Sequence, residues 1–300
     1  MKRLCLLTFA LLLVLSPAPA AAQQDWSAVE IKATHVRGNI YALMDDVSGN
    51  VGVSVGEDGI LIVDDKFAPL ADKIRTALAE AGGGELQFIL NTHWHGDHTG
   101  GNQVFGPEAP IIAHSNVRQR LMTEQKLMRH TYPPAPPQAW PVITFDQSVS
   151  VHFNGEEIKA IHFPRGHTDG DSVIFFTGSN VVHLGDDFFA GRFPFVDLES
   201  GGDVEGLTRN IEKVLAELPA DAILIPGHGP VSGLDDLRAY HRMLKETTEI
   251  VRQRLAAGKS LEEIKAEGLP EEWASWSWRF ISTEFWLETL YNSLSREKKQ

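Results

Sequence analysis

The stretch LQFILNTHWHGDHTGG (residues 86–101) constrains this chain more than any other, because a short apolar strand runs straight into three histidines and an aspartate. Only 12 histidines occur in the 300 residues, so their crowding at 93, 95 and 98 beside Asp97 asks for a cause. One reading is a polar loop. The other is a metal site, since imidazole and carboxylate are both good zinc ligands and catalytic zinc keeps an open position for water. In extended backbone, residues two apart point to the same side. His93, His95 and Asp97 are therefore expected to project together, with His98 turned toward a different ion.

A site at a strand end belongs to α/β architecture, where loops at the carboxyl ends of strands converge. The surrounding chain fits. Residues 38–44 and 50–65 read as strands, the latter a pair joined by a turn containing Asp58-Gly59. Residues 68–84 carry a helix with Leu70, Ile74, Ala77 and Leu78 at helical spacing, ended by a glycine run. Residues 110–114 form a strand and 115–129 a helix. TYPPAPPQAWP (131–141) has five prolines and cannot be regular structure. Two readings of it stay open: a surface linker, or a loop overhanging the site with Trp140 offering an apolar face.

The second half repeats the pattern, with strands at 157–163, 172–176 and 180–185 rich in β-branched and aromatic residues. A helix at 203–218 places Leu207, Ile211, Val214, Leu215 and Leu218 on one face. A strand within 221–230 ends in a turn, and helices fill the C-terminus. Two halves of strands followed by helices predict two sheets packed face to face with helices outside, in one domain over residues 23–300.

Three further residues sit at corresponding places. His167 lies in a glycine-flanked loop (PRGHTDGD), Asp186 follows a strand and a glycine (HLGDD), and His228 occupies a tight turn (IPGHGP). Glycine beside each lets the backbone bend so that the side chain points inward. His183 reads as a structural core histidine in need of a partner, and the other histidines outside these motifs read as structural too. The phenylalanines at 188, 189, 193 and 195 read as core packing more than as pocket wall.

The opening MKRLCLLTFALLLVLSPAPAAAQQ has a basic start, a short apolar run and an A-x-A site at Ala20 and Ala22, so residues 1–22 read as a cleaved signal peptide and the protein as periplasmic or secreted. The run is too short for a membrane span. Cys5 is the only cysteine, so past the leader there is neither disulfide nor thiolate ligand. The net charge of −13 repels polyanions, which argues against a nucleic-acid partner and leaves a small-molecule substrate. The oligomeric state stays open.

H-x-H-x-D-H followed by G-H-T, G-D after a strand and P-G-H-G resembles the metallo-β-lactamase superfamily, over about residues 35 to 240. The resemblance implies an αβ/βα four-layer sandwich of two mixed sheets flanked by helices. It implies two zinc ions, with His93, His95 and His167 on one, Asp97, His98 and His228 on the other, and Asp186 bridging. Asp64 would orient the ligand loop, against the alternative of a solvated strand end. A hydroxide held between the ions and steered by Asp97 would hydrolyse an amide, lactam or ester-type carbonyl. No G-x-S-x-G offers a competing serine nucleophile.

The commonest class B β-lactamases carry cysteine where this chain has Asp186, so the expected activity is β-lactamase-like with weak β-lactam turnover. A glyoxalase-type thioester hydrolase shares all seven ligands and is the first alternative. An iron-dependent persulfide dioxygenase is the second. A nuclease is opposed by the charge and the leader, and a non-catalytic zinc protein would not need the full ligand set.

Overall fold

A computed structural model describes residues 24–297. The leader at 1–22 and Cys5 lie outside the described residues. In chain order the first sheet is built from β1 (Lys32–Arg37), β2 (Ile40–Met44), β3 (Val51–Gly56), β4 (Gly59–Val63), β5 (Leu86–Leu90) and β6 (Ile111–His114). A separate hairpin follows, β7 (Gln125–Leu127) with β8 (His130–Tyr132), and β9 (Ile143–Phe145) then returns to the first sheet. The second sheet runs β10 (Ser148–Phe153), β11 (Glu156–His162), β12 (Ser172–Phe176), β13 (Val181–His183) and β14 (Ile223–Ile225). Both sheets are mixed, since β4, β5, β6 and β9 pair in parallel, as do β13 and β14.

Alternation along single strands explains the layering. In β4, Leu61 and Val63 face the other sheet, where they meet Ile158, Ile174 and Ile225. Ile60 and Ile62 face outward onto Ile74 and Leu78 of α1 (Ala71–Glu80). A strand buried on both faces reads as an unbroken apolar run. The second sheet turns Val173, Val182 and Leu224 outward onto α5 (Val204–Glu217), α6 (Leu234–Ala256) and α9 (Thr283–Glu297). The result is the expected αβ/βα sandwich. Asp203 caps α5 by accepting from the Gly206 amide at 2.7 Å, and such caps contribute about 1 kcal/mol. Among the described residues no helix is long and apolar enough to cross a membrane.

Two expectations fail locally. The helix expected over 115–129 stops at Leu121 as α4 (Ser115–Leu121), and β7–β8 follow it. Gln125 ends the helix, because its side chain donates to the Arg120 carbonyl at 3.1 Å while its Oε1 receives Arg120 at 2.9 Å. Met128 and Arg129, both with positive φ, then turn the hairpin. The proline-rich segment is not a linker between the two halves of the domain, since β9 directly after it still joins the first sheet. Pro133 to Pro136 line the central cavity. Trp140 instead packs on Trp94, Val117 and Leu121, with its Nε1 donating to the Ala135 carbonyl at 2.8 Å.

His183 is fully buried at the end of β13 and both ring nitrogens are used. Nε2 donates to the Asn50 carbonyl at 3.0 Å, and Nδ1 accepts from the Gly185 amide at 3.1 Å. Burial lowers its pKa from 6.5 to about 4, so the folded ring is neutral. Its contribution to stability is therefore present above pH 6.5 and is lost as pH falls toward about 4. His183→Ala should cost about 1–3 kcal/mol near neutrality by orphaning these partners. Urea denaturation from pH 7 downward should show the gap to wild type narrowing with acid.

Candidate metal centre

The ligand loop begins where β5 ends. Thr92 donates to Asp64 twice, through its amide to Oδ1 at 2.8 Å and its hydroxyl to Oδ2 at 2.7 Å. Asp64 is fully buried and adopts a left-handed conformation (φ 65°) that aims its carboxylate at the loop. The same Oδ2 accepts from His98 Nδ1 at 2.7 Å. Asp64 is thus the residue that orients the loop, and not a solvated strand end.

Extended backbone stops at His95. Residues Gly96–Thr99 form a helical turn, α2, with the His98 and Thr99 amides both donating to the His95 carbonyl. Alternation therefore does not reach Asp97, and the expectation that Asp97 projects with His93 and His95 is corrected. The turn swings Asp97 over to His98 and His228. His93, His95, His167 and Asp186 form one group of donor atoms within 4.8 Å of one another, and Asp97, His98 and His228 form a second.

Asp186 faces both groups. Its Oδ2 lies 3.5 Å from His167 Nε2 and 3.8 Å from His93 Nε2, while Oδ1 lies 3.0 Å from His98 Nε2 and 3.4 Å from His228 Nε2. Gly227 permits this approach, since a Cβ there would come within 2.0 Å of Asp186 Oδ1.

Outer partners fix the ring tautomers. Nδ1 of His93 donates to Thr92 Oγ1 at 3.0 Å, and Nδ1 of His167 donates to the Phe195 carbonyl at 2.7 Å. His95 is reversed: Nε2 donates to Asp197 Oδ2 at 3.0 Å, which leaves Nδ1 facing His167 Nε2 at 2.8 Å. With the outer nitrogens protonated, these two inner nitrogens bring lone pairs together, a repulsion that a shared proton or coordination to one metal ion relieves. His93 Nε2, His98 Nε2 and Asp186 Oδ1 are buried without a hydrogen bond of acceptable angle, and each such orphan costs about 1–3 kcal/mol. A metal ion would satisfy them, so the donor set fits one.

The electrostatics divide in the same way. Burial lowers the pKa of His93 well below the ordinary value, helped by His98, and takes His167 down to about 4. Burial also opposes charging of His98 and His228, but Asp186 and Asp97 outweigh it, lifting His98 well above 6.5 and His228 to about 9. Asp97 and Asp186 are held ionised by these histidines against the burial penalty.

Several supports escaped the sequence reading. Asp197 caps a local turn through Oδ1, accepting from the Glu199 and Ser200 amides, and this much is a sequence signal. Its contact with His95, 102 positions away, is not. Gly49 and Asn50 brace the second group. A Cβ on Gly49 would lie 2.2 Å from the His98 ring, and the Gly49 amide donates to the Asp97 carbonyl. Asn50 donates through its amide to Gly227 and through Nδ2 to the Pro226 and Gly229 carbonyls, gripping the His228 turn. Lys66, fully buried and paired with Asp45 at 3.0 Å, donates to the Gly49 carbonyl and locks this brace. Below His167, Asp187 Oδ1 accepts from the His167 amide and Asp171 Oδ2 from the Thr168 amide. Of the four phenylalanines, Phe188, Phe189 and Phe193 are core as expected, Phe189 also stacking on His228 at 5.0 Å, and Phe195 borders the cavity.

Residues 44–228 match the family model for the metallo-beta-lactamase superfamily, and the chain belongs to that superfamily. It is 21% identical over 255 residues to the metallo-beta-lactamase type 2 of Bacteroides fragilis, covering 82% of this chain and 95% of that one. It is 28% identical over 171 residues to a hydroxyacylglutathione hydrolase of Polaromonas sp. (strain JS666), covering 53% of this chain and 55% of that protein, so it spans about half of that relative. The structure of a metallo-beta-lactamase from Pontibacter korlensis superposes with a TM-score of 0.60 at 14% identity, over 72% of this chain and 99% of that one. That likeness shows the same fold. The chain is thus a metallo-beta-lactamase superfamily hydrolase with a histidine–aspartate metal-binding cluster.

The supports are separable by group. Asp197→Ala frees the His95 ring and should weaken divalent-metal affinity about 10- to 100-fold at the His93–His95–His167 group. Asn50→Ala should act on the Asp97–His98–His228 group instead. Competition titrations with a chelating indicator should show the tighter step shifting in one variant and the weaker step in the other. The same step moving in both would refute the division.

Proposed function

We propose that this chain is an exported hydrolase that holds two zinc ions and opens an amide, lactam or ester-type carbonyl, with β-lactam turnover weak. The observation that carries the reading is Asp186, whose two oxygens face two separate groups of histidines. Zinc, when bound, supplies a nucleophile at neutral pH and a Lewis acid for the carbonyl. The chain's own residues do the rest. His93, His95 and His167 hold one ion through nitrogens whose orientation is fixed from behind. Asp97, His98 and His228 hold the other, with Asp186 between.

Asp97 is the member of the set most open to the cavity, its side chain 25% exposed. Ionised and fixed, it accepts a hydrogen bond from the attacking water and aims that water at the carbonyl. The apolar face of Phe189 against His228 excludes bulk water from that side. Export rests on the leader sequence, and small-molecule action on the net charge.

The second reading is a thioester hydrolase, favoured by the carboxylate at 186 and by the likeness to a hydroxyacylglutathione hydrolase. Turnover of a β-lactam, a lactone and a thioester by the zinc-loaded protein separates the two, and an iron-loaded sample tests the persulfide alternative.

Elemental analysis of protein purified with zinc should give two ions per chain, and chelation should lower the melting temperature because metal binds only the folded form. One ion or none would sink the binuclear reading. His95→Ala should lose essentially all hydrolysis while remaining folded, since it removes a donor from a loop and not from the core. Retained turnover at saturating zinc would count against it.

Asp186 tests the bridge. Asp186→Ala should weaken the second ion more than the first, which keeps three histidines. Asp186→Cys offers a softer donor and should retain or raise β-lactam turnover while losing thioester turnover. If β-lactams are inert with either residue, the thioester reading stands. Unchanged metal content and turnover in Asp186→Ala would rule out the bridging role.

A further inference from the structure

We infer that a second pocket, built from the same two loops that carry His167 and Asp197, binds a phosphoryl dianion between Arg165 and Arg296. The pocket measures about 360 Å3 and shares no lining residue with the central cavity. None of the seven candidate metal donors lines it, so the inference is independent of the reaction proposed above.

Its frame is two interlocked loops. The Asp169 amide donates to the Ser200 carbonyl, the Asp197 amide to the His167 carbonyl and the Asp203 amide to the Gly166 carbonyl, each at 2.9 Å. Gly202 allows this approach, since a Cβ there would lie 2.3 Å from the His167 carbonyl oxygen. Helix α9 supplies the remaining lining through Ser293 and Arg296. Buried Ser293 accepts from the Val204 amide at 3.2 Å, and Arg296 Nη1 donates to the Leu198 carbonyl at 2.6 Å. Arg165 and Arg296 therefore stand on separate elements whose backbones are fixed to one another.

The carboxylates on this pocket are already engaged. Asp169 holds Arg120 through both oxygens at 2.7 Å. Asp203 accepts from the Gly206 amide at 2.7 Å and from the Ser293 hydroxyl at 3.3 Å. It lies 3.8 Å from Arg165 and 3.9 Å from Arg209, outside hydrogen-bonding distance of either. Among the described residues Arg296 has no carboxylate partner. Other arginines of this acidic chain do find carboxylates: Arg37, Arg238 and Arg254 hold theirs at 3.0, 2.8 and 2.9 Å. The pocket thus keeps two guanidiniums available in a chain of net charge −13. A carboxylate, with two oxygens and one charge, fills a single guanidinium fork. A phosphate monoester carries three terminal oxygens and about two charges near neutrality, so it answers both forks at once. The volume of about 360 Å3 suits a small ligand and leaves room for a short organic group beside the phosphoryl.

Calorimetric titration of the zinc-loaded protein with glycerol 3-phosphate, at fixed ionic strength, tests the site. One saturable site is expected in wild type. Arg165→Gln and Arg296→Gln should each weaken it about 10- to 100-fold. Both side chains are exposed, so neither change disturbs the core. Arg238→Gln, which removes an exposed arginine elsewhere, should leave the affinity as it is. Acetate at the same ionic strength should not compete. Inorganic phosphate binding as tightly as the ester would assign the site to free phosphate, and weaker binding would assign it to a phosphorylated small molecule. Phosphate held by the zinc ions instead would show as an affinity unchanged in both arginine variants. An affinity unchanged in either of them, equal competition by acetate, or no saturable binding in wild type would overturn the inference.

Discussion

Seven imidazole and carboxylate groups packed in a protein interior are the constraint that the rest of this structure serves. Unpaired, each buried polar group costs free energy, and like groups side by side repel. The chain resolves half of the problem itself. Asp64, Asp197, Thr92 and the Phe195 carbonyl each occupy the outer nitrogen of one histidine ring. Of the inner atoms, His95 Nδ1 and His167 Nε2 meet each other, while His93 Nε2, His98 Nε2 and Asp186 Oδ1 have no hydrogen bond. Such a cluster is stable chiefly when a cation completes it, which makes metal binding part of the folding free energy.

That division explains which parts could be read from sequence. The candidate donors were legible because the histidine cluster directly follows an apolar strand, and because His167, Asp186 and His228 each sit beside glycine close to a recognisable apolar run. Asp64 was only half legible, since its place after ILIV marked a strand end but not its burial. Asp197 and Asn50 could not be read, because their partners lie 102 and 176 positions away. The regular backbone rule also failed where it mattered locally. Alternation along an extended strand placed Asp97 with His93 and His95, whereas the helical turn at 96–99 sends it to the other group.

The fold shows the same pattern. A strand buried on both faces, such as β4, announces itself as an apolar run. Edge strands do not: β1 is half exposed along its length, and β10 alternates exposed with covered residues. An Asn-Gly pair at 154–155, both with positive φ, did mark the β10–β11 turn, but the polar strand before it hid the hairpin. Asn154 there also joins the two sheets, exchanging hydrogen bonds with Asp58 on the β3–β4 turn.

One short segment joins the two donor groups to the cavity wall. Residues 186–197 supply the Asp186 carboxylate that faces both donor groups, the Phe189 ring stacked on His228, Arg192 over Trp278, the Phe195 carbonyl that holds His167 and the Asp197 carboxylate that holds His95. Phe195 does two of these jobs at once, its carbonyl behind a ligand and its ring on the cavity wall. Phe188 and Phe193, both fully buried in the core shared with α6 and α9, anchor the segment, and Trp278 Nε1 donates to the Phe193 carbonyl while the Phe193 amide donates to the Trp276 carbonyl. The C-terminal helices, none of whose described residues belongs to either donor group, therefore support the centre through the packing and hydrogen bonds that they make with this segment.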